Sequence, residues 1–434
     1  MKDENCKEIT ELEGNGTQPK NRIHKNSIIT AIIAGGMVII LGVVGIGTDF
    51  GWRTKRQLEN QLTGRTRIQG AFYEGELNWG IFEGAGTLTC DSGVTLSGNW
   101  DENYLQGEGT AQFDDGSRYE GEYKNTLRDG QGSFTWENGD TYIGEWKDDK
   151  PNGKGTYTWN DGDTYAGSFE NGKATGDGEY RWVNGDICTG SFTEGKADGK
   201  ATLTFSTGES YSGNFANGEY DDLGKFIYPD IGYYAGHFKN STRNGAGRFS
   251  WNNGDEYNGE WLDDQITGKG KMTFSNGDVL EGEFSEGALI NGTYKATENN
   301  TSYTINLENG FIVKATVEFE DGTVCTGECT GSSFNGEATI TYSNGDKYEG
   351  TLSDGMKDGK GIYTWEDGSK YEGNWQEDSM NGKGTYYFPE DSDGYKLVGP
   401  FEDDAPDGDC DYYVNKDKKY KTTWSEGKCI KLTE

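Results

Sequence analysis

The feature that most constrains the fold of this chain is a sequence repeat with a period of 23 residues. Gly-x-Gly pairs open successive units, and the first glycine recurs at Gly84, Gly107, Gly130, Gly153 and Gly176. A second series has the same period: Tyr73, Leu96, Tyr119, Tyr142, Tyr165, Cys188, Tyr211, Tyr234, Tyr257, Leu280 and Tyr303. Because so short a unit cannot bury an apolar face alone, neighbouring units are expected to stack and share one core.

Each repeat has the pattern of a β-hairpin. In the unit at 130–150, GQGSFTWENGDTYIGEWKDDK, Phe134 and Trp136 alternate with polar residues, as in a strand with one buried face. Glu-Asn-Gly follows as a turn signal, and Tyr142 and Trp146 alternate on the return strand. Aromatic residues make up 13% of the chain, which favours an ordered core although 69 glycines would otherwise suggest disorder.

The length of the hairpin loop decides which side chains share a face. A two-residue Asn-Gly loop would put the rings of the two strands on opposite faces, whereas a three-residue loop ending at Gly139 puts all four on one face. One hairpin buries only one face efficiently, so the sequence predicts the three-residue loop. Gly132 and Gly144 are then opposite each other and leave room for a neighbouring ring.

Four clean units resemble MORN repeats: GQGSFTWENGDTYIGEW, GKGTYTWNDGDTYAGSF, GAGRFSWNNGDEYNGEW and GKGIYTWEDGSKYEGNW. The resemblance covers roughly residues 70–400. It departs at 291–331, where Ile305 occupies a glycine position and one residue is missing, and at 388–400, which carries an insertion. It implies an antiparallel β-array that acts as a scaffold or spacer near membranes, with no chemistry of its own. In some relatives the repeats are attached to lipid kinases, and in others they bridge membranes or assemble cytoskeletal structures.

We therefore predict an all-β fold, an elongated single-layer antiparallel β-hairpin array, with one N-terminal transmembrane helix. The predicted organisation is a polar, basic tail at 1–27, a transmembrane helix at 28–47, a basic linker at 48–68, repeats at 69–400 and a divergent C-terminal cap at 401–434. The predicted repeat core comprises Phe134, Trp136, Tyr142, Gly144, Trp146, Tyr165, Gly167, Tyr257, Gly259, Trp261, Tyr371, Gly373 and Trp375.

The membrane prediction rests on 28–47, IITAIIAGGMVIILGVVGIG, which contains no charge. As a helix it would span about 30 Å, the thickness of a bilayer core. A cleaved signal peptide fits less well, because its apolar region is shorter and ends at a small-residue cleavage site. Ala31 and Gly35 form a small-xxx-small pair, so a homodimer through this helix stays open.

The basic residues on the two sides of that helix nearly balance, so they barely favour one orientation. Lys20, Arg22 and Lys25 precede it, and the basic residues that follow it are Arg53, Lys55, Arg56, Arg65 and Arg67. Long domains translocate largely regardless of charge, so we predict a cytoplasmic N-terminus and extracytoplasmic repeats. An array on the cytoplasmic side is the alternative.

Charge excludes one class of partner. The net charge is −34, and residues 1–67 hold ten basic and seven acidic residues, so the acidic excess belongs to the repeats. Such a surface repels nucleic-acid phosphates and anionic lipid headgroups. Nucleic-acid binding is therefore not expected, and direct lipid binding by the repeats is disfavoured.

No catalytic, metal or cofactor site is predicted. One acidic residue recurs just after the turn glycine, as Asp140, Asp163, Asp186, Asp255, Asp278 and Asp346. We interpret these residues as solvated, turn-favouring aspartates, because a calcium site needs six to eight converging oxygens. His24 and His237 have no nucleophile or metal-binding motif beside them, and the Gly-x-Gly pairs precede no helix that would make a phosphate loop.

The cysteines are expected mainly as small core residues. Cys188 and Cys325 occupy the return-strand Tyr position, Cys329 the position of the return-strand Trp, and Cys90 that of the first-strand Trp. A disulfide between Cys410 and Cys429 in the C-terminal cap is left open.

These observations predict a non-enzymatic, membrane-anchored scaffold or spacer that presents an extended acidic β-surface to a protein partner of unknown identity. One alternative is an extracytoplasmic recognition module that binds a glycan or peptide along the aromatic face. The other is a membrane-linked organiser on the cytoplasmic side.

Overall fold

The computed structural model describes residues 65–68, 70–390, 392 and 394–433. The chain divides into two compact units, Met1–Arg243 and Asn244–Glu434, and each is described by itself. The predicted transmembrane segment at 28–47 lies outside the described residues. Within the described residues there is no helix of the length and apolarity that crossing a bilayer requires.

The first unit consists of short strands joined by turns. Its strands are β1 Arg65–Ile68, β2 Ala71–Asn78, β3 Ile81–Cys90, β4 Thr95–Asp101, β5 Tyr104–Gln112, β6 Arg118–Lys124, β7 Leu127–Thr135, β8 Thr141–Lys147, β9 Lys150–Thr158, β10 Thr164–Glu170, β11 Lys173–Arg181, β12 Ile187–Thr193, β13 Lys196–Thr204, β14 Ser210–Ala216, β15 Glu219–Tyr228 and β16 Gly232–Lys239. Each strand pairs antiparallel with the next one along the chain.

The second unit repeats this arrangement. Its strands are β17 Thr242–Trp251, β18 Glu256–Leu262, β19 Gln265–Thr273, β20 Val279–Ser285, β21 Ala288–Glu298, β22 Thr301–Glu308, β23 Phe311–Glu318, β24 Val324–Thr330, β25 Ser333–Thr341, β26 Lys347–Ser353, β27 Met356–Thr364, β28 Lys370–Gln376, β29 Ser379–Tyr387, β30 Lys396–Glu402, β31 Ala405–Pro406, β32 Gly408–Tyr413, β33 Lys419–Ser425 and β34 Lys428–Thr433. Strand β30 pairs with both β31 and β32. The prediction of an all-β, antiparallel, single-sheet repeat array is confirmed for the described residues.

The hairpin of β7 and β8 shows how one repeat is built. Thr135 pairs with Thr141, and Gly132 is opposite Gly144. Beyond the last pair, the Trp136 N–H donates to the Asp140 carbonyl at 2.9 Å, and the Gly139 N–H donates to the Trp136 carbonyl at 3.0 Å. Gly139 has a φ of 89°, which glycine adopts without strain. This geometry is the three-residue loop, and it puts the rings of both strands on one face.

A different turn joins one hairpin to the next. Between Lys147 and Lys150 the chain turns through Asp148 and Asp149, whose φ values are 45° and 66°. A two-residue turn of this hand matches the twist of the strands, and Asp and Asn tolerate its left-handed conformation better than most residues. The register of β8 with β9 shifts between Gly144 and Trp146, where β9 carries two extra residues as a bulge. Trp146 is on the face of Tyr142 by the alternation of β8 itself.

The irregular stretches have local explanations. At 291–331 the hairpin of β21 and β22 turns through only Asn299 and Asn300, which accounts for the missing residue. Gly292 there faces Leu307, so the row of opposed glycines is interrupted. At 388–400 the insertion lies in the loop between β29 and β30, which the Phe388 N–H closes by donating to the Tyr395 carbonyl at 3.2 Å.

Two segments predicted as non-repeat regions contain strands. Strand β1 lies inside the predicted linker 48–68 and pairs with β2. Within the predicted cap 401–434, β32, β33 and β34 continue the antiparallel pairing of the repeats. The divergent sequence of 401–434 therefore still forms repeat-like hairpins.

Candidate interaction surface and the core beneath it

The aromatic side chains of the repeats form one buried face of the sheet. The predicted core rings are between 0% and 7% exposed: Phe134, Trp136, Tyr142, Trp146, Tyr165, Tyr257, Trp261, Tyr371 and Trp375. The predicted glycines Gly144, Gly167, Gly259 and Gly373 lie in the strands beside them. We call this side of the sheet the aromatic face.

Tyrosine rings in a single-layer sheet become fully buried because they lie over glycines. A Cβ added at Gly155 would lie 2.5 Å from Cζ of Tyr142, so only glycine leaves room for that ring. The Tyr142 hydroxyl donates to the Glu145 carbonyl at 2.9 Å. The tyrosine rings therefore pack directly against a row of opposed glycines. This row continues from Gly144 to Gly155 and Gly167.

The rings also contact one another from repeat to repeat. Their centroids are 4.6 Å apart between Phe134 and Trp136, 5.2 Å between Trp136 and Tyr157, and 4.6 Å between Tyr157 and Trp159. Each ring is thus packed against other rings, and stacking on a sugar or peptide would require opening these contacts. The aromatic face, which the sequence suggested as a glycan-binding surface, is therefore not freely available for such binding.

Burial also fixes the protonation of the tyrosines. Desolvation raises the pKa of Tyr165, Tyr257 and Tyr371 to about 12. These hydroxyls stay neutral at physiological pH and act as hydrogen-bond donors to the backbone. Their contribution is structural.

The repeated aspartates join one hairpin to the next. Asp140 accepts hydrogen bonds from the Tyr157 hydroxyl at 2.7 Å and from the Asn160 N–H at 2.8 Å. Asp163 does the same for the Tyr180 hydroxyl and the Val183 N–H, both at 2.9 Å. Our interpretation of these residues as solvated was wrong for the four that are buried, which are Asp140, Asp163, Asp255 and Asp346. A buried carboxylate is stable here because its oxygens are hydrogen-bonded.

The other two repeated aspartates are half-buried and make the same kind of bond. Asp186 accepts from the Ser206 N–H at 2.9 Å, and Asp278 accepts from the Tyr294 hydroxyl at 2.6 Å. Over the described part of the chain, no three His, Cys, Asp or Glu side chains are grouped closely enough to hold a metal ion.

A second set of hydrogen-bonded links joins neighbouring hairpins at the opposite ends of the strands. Asp149 accepts from the Arg128 N–H and from its Nε, both at 3.0 Å. Asp378 accepts from the Lys357 N–H at 2.8 Å, and Asp404 from that of Met380 at 2.7 Å. Sequence reasoning missed these links, although Asp, Asn, Ser or Thr recurs at the second turn position.

Most of the described cysteines are buried core residues. Cys90, Cys188, Cys325 and Cys410 are buried, and Cys329 is half-buried. Burial raises the pKa of Cys188 to about 12, which keeps its thiol protonated. Cys410 and the exposed Cys429 are both free thiols, so the disulfide left open by the sequence is not formed.

The opposite side of the sheet, which we call the polar face, carries Ser133, Thr135 and Ile143 in the hairpin of β7 and β8 and the equivalent residues elsewhere. Ile143 is 61% exposed, whereas its neighbour Tyr142 is fully buried. Polar side chains pair across strands, as between the hydroxyls of Thr87 and Ser97 at 2.9 Å. The aromatic face is thus occupied by its own packing, and the polar face is the more exposed side of the sheet.

Three solved structures to which the chain is similar superpose on it only weakly. The TCP domain of SAS-4 from Drosophila melanogaster, solved with a proline-rich motif of Ana2, is 18% identical, with a TM-score of 0.24 over 36% of this chain and 85% of that one. The wild-type TCP10 domain of Danio rerio CPAP is 12% identical, with a TM-score of 0.14 over 62% and 98%. Virginiamycin B lyase from Staphylococcus aureus is 13% identical, with a TM-score of 0.12 over 62% and 94%. At these TM-scores the similarity carries no argument about function.

Family membership rests on the repeats. No curated protein matches the chain. The family model for the MORN repeat matches residues 73–95, 97–118, 119–141, 142–164, 165–187, 188–210, 211–230, 234–256, 257–279, 348–370 and 371–392. These matches cover more than half of the chain, and each runs from the return strand of one hairpin through the first strand of the next, as 119–141 does over β6 and β7. The chain therefore belongs to the MORN-repeat family.

Proposed function

We propose that this protein is a non-enzymatic scaffold or spacer, anchored in a membrane through residues 28–47, whose polar face binds a protein partner. The observation that best supports this proposal is the difference in solvent exposure between the two faces of the sheet. Tyr142 on the aromatic face is fully buried, while its neighbour Ile143 on the polar face is 61% exposed. A repeat array offers an extended surface of this kind for recognition. The net charge of −34 belongs to the chain as a whole and favours basic partner surfaces except beside local clusters of lysine.

The proposed anchor places the array next to a bilayer. The uncharged segment 28–47 has the length that a membrane helix needs. We propose that the basic cluster at 20–25 stays in the cytoplasm and that the repeats are exported. The cytoplasmic organiser is the same scaffold with the opposite sidedness.

Membrane extraction and protease accessibility test the anchor and its orientation. The full chain with a C-terminal tag should remain in the membrane pellet after alkaline carbonate washing, and deletion of 28–47 should release it. Protease added to intact cells should digest the C-terminal tag and spare an N-terminal one. Digestion of the C-terminal tag only after lysis would establish the cytoplasmic organiser, and carbonate release of the full chain would remove the anchor.

Site-specific photo-crosslinking in cells tests partner binding. A photoreactive residue at Ile143 on the polar face should give discrete crosslinks to protein. The matched control at Glu137, which is exposed in the turn of the same hairpin, should give far fewer. Equal crosslinking at the two positions, or none at either, would contradict a partner-binding polar face.

A further inference from the structure

A row of alternating lysines and tyrosines crosses the polar face of the second unit. Lys370 pairs with Tyr387, Tyr387 with Lys396, Lys396 with Tyr413, and Tyr413 with Lys419. These five residues lie on the neighbouring strands β28, β29, β30, β32 and β33. We call them the lysine–tyrosine row.

The side chains of the row contact one another as cations and rings. Lys370 Nζ is 4.4 Å from the ring centroid of Tyr387. Lys396 Nζ is 5.8 Å from the Tyr387 centroid and 4.9 Å from that of Tyr413, and Tyr395 adds a third ring at 5.7 Å. These cation–ring contacts hold the lysines of the row beside half-buried tyrosine rings on the polar face.

Folding does not require tyrosine in this row. The equivalent strand position carries threonine in seven other repeats, at Thr89, Thr135, Thr158, Thr204, Thr273, Thr341 and Thr364. The polar face needs no aromatic packing there, because the core lies on the aromatic face. Tyr387 and Tyr413 are half-buried rings on the polar face, outside the core, and their presence there calls for an explanation other than the fold.

The charges of the row differ from those of the rest of the chain. Among the described side chains, Lys396 has no carboxylate within ion-pair distance. Lys370 has Glu372 at 3.2 Å, while Lys419 and Lys421 share Asp411 at 2.9 and 2.5 Å. The row and its immediate partners thus carry a net positive charge within a protein whose net charge is −34.

The spacing of the row restricts what can bind along it. Neighbouring strands are about 4.8 Å apart, so lysines and tyrosines each recur about every 9.6 Å. A polyproline II helix has three residues per turn and rises about 3.1 Å per residue, so it repeats about every 9.3 Å. A peptide in that conformation, running across the strands, presents one residue of each turn to a lysine and another to a tyrosine.

We propose that the lysine–tyrosine row binds a proline-rich segment of a partner protein, in the polyproline II conformation, with an acidic residue at every third position. The carboxylates pair with Lys370, Lys396 and Lys419, and the proline rings pack against Tyr387 and Tyr413. The proposal rests on the proposed scaffold function and names the chemistry of a partner. An anionic bilayer is disfavoured, because it would also face the acidic remainder of the sheet.

Peptide titration of the purified full chain tests the proposal. The probe is a fluorescent peptide of Pro-Ala-Glu repeats, followed by anisotropy. Two comparison peptides have Pro-Ala-Gln repeats, which lack the charge, and Gly-Ser-Glu repeats, which keep the charge but are flexible. The Pro-Ala-Glu peptide should bind tightest and weaken as salt is added. If the Gly-Ser-Glu peptide binds as tightly, only charge is being recognised and the proposal is wrong.

Matched variants locate the site. Tyr387→Thr, which restores the residue common at this position, and Lys396→Gln should each weaken binding on the order of fivefold, with thermal unfolding unchanged. The control is Lys347→Gln, in the same row of the sheet but between Thr341 and Thr364 and paired with Glu349 at 2.8 Å. It should leave binding unchanged. Equal weakening by all three variants, or by none, would overturn the assignment.

Two further measurements distinguish a failure of the peptide proposal from lipid binding and from a failure of the scaffold function. Vesicles containing phosphatidylserine should not bind in a Lys396-dependent way, and if they do while the peptide does not, the row is a lipid site. Loss of crosslinking at Ile143, which is in the first unit, would count against the scaffold function without changing the peptide titration.

Discussion

The fit of a tyrosine ring on a glycine explains several departures from the repeat pattern. The return-strand tyrosine lies over the glycine thirteen positions later, as Tyr142 does over Gly155. Where that tyrosine is Cys188, the later residue is Ala201, and where it is Cys325, the later residue is Ala338. Both alanines are buried. A smaller side chain leaves space that the alanine methyl fills, so the two positions change together.

We expect this pairing to appear as a coupling energy. Gly155→Ala alone should destabilise the chain by about 1–3 kcal/mol, because its methyl would overlap the Tyr142 ring. With Tyr142→Cys in the same chain, the methyl has room, so the double variant should be more stable than the sum of the single effects predicts. Urea unfolding of the four proteins measures the coupling. Strict additivity would show that the ring and the glycine do not exclude each other.

Trp146 should be the costliest residue of its repeat to truncate. It is buried, its Nε1–H donates to the Gly132 carbonyl at 3.2 Å, and its ring contacts those of Tyr119 and Tyr142. Trp146→Ala should cost about 3–5 kcal/mol. Trp146→Phe should cost clearly less, since Phe169 fills the same position one repeat later. Calorimetry or urea unfolding decides it, and similar losses for the two variants would contradict this packing argument.

The single hairpin was predictable from the sequence, whereas the links between hairpins were not. Strand alternation, the Asn-Gly turn and the face shared by Phe134 and Tyr142 depend on neighbouring residues, which the pattern shows directly. The bond from Tyr157 to Asp140 joins residues 17 positions apart. An aspartate after a turn glycine is common for local reasons, so its second role shows only once the hairpins are stacked.

The lysine–tyrosine row was missed for a related reason. It crosses five strands and therefore exists only in the register of the sheet. The insertion at 388–400 also shifts Lys396 and Tyr413 out of the 23-residue period. The cysteine–alanine pairs, by contrast, could have been found from the period alone.

The link that Asp346 makes between two hairpins should weaken in acid. Burial tends to raise the pKa of Asp346, but hydrogen bonds from Tyr363 at 2.7 Å, Asn344 at 3.0 Å and the Glu366 N–H at 2.9 Å together hold it below its ordinary value. A carboxyl whose pKa is depressed on folding stabilises the fold above its unfolded pKa, near 3.9, and loses that effect as the pH falls through the folded pKa.

Asp346→Asn tests this pH dependence. The variant should be less stable than the parent protein at pH 7, and the difference should shrink as the pH falls below about 4. Urea midpoints at pH 7, 5 and 3.5 measure it. A difference that stays constant over that range would mean that the charge of Asp346 contributes nothing to the link.

At the scale of the whole molecule the dominant property is charge. The chain carries 74 acidic and 40 basic residues. Like charges that are exposed and close together repel in the folded state and are relieved by unfolding, so a charge this large opposes folding at low ionic strength. The hydrogen-bonded links and the ring contacts act against that repulsion.

Added salt should therefore stabilise the protein. Raising NaCl from about 10 mM to 0.15 M shortens the screening length from about 30 Å to about 8 Å, and the Tm should rise. Potassium chloride should act equally, since screening does not depend on which monovalent ion is used. A Tm that falls with salt would show that attractive ion pairs outweigh the repulsion, and a response to calcium alone would reveal a specific site.

The links described at both ends of the strands have a mechanical consequence. Each one reaches from a hairpin to its immediate neighbour, as from Asp140 to Tyr157 and from Asp149 to Arg128. Tension along an array held in this way is carried by all the links in series, so the weakest link breaks first and the others hold. Such a chain would lengthen in steps of one repeat and dissipate energy at each step, so a protein loaded at its two ends would yield gradually.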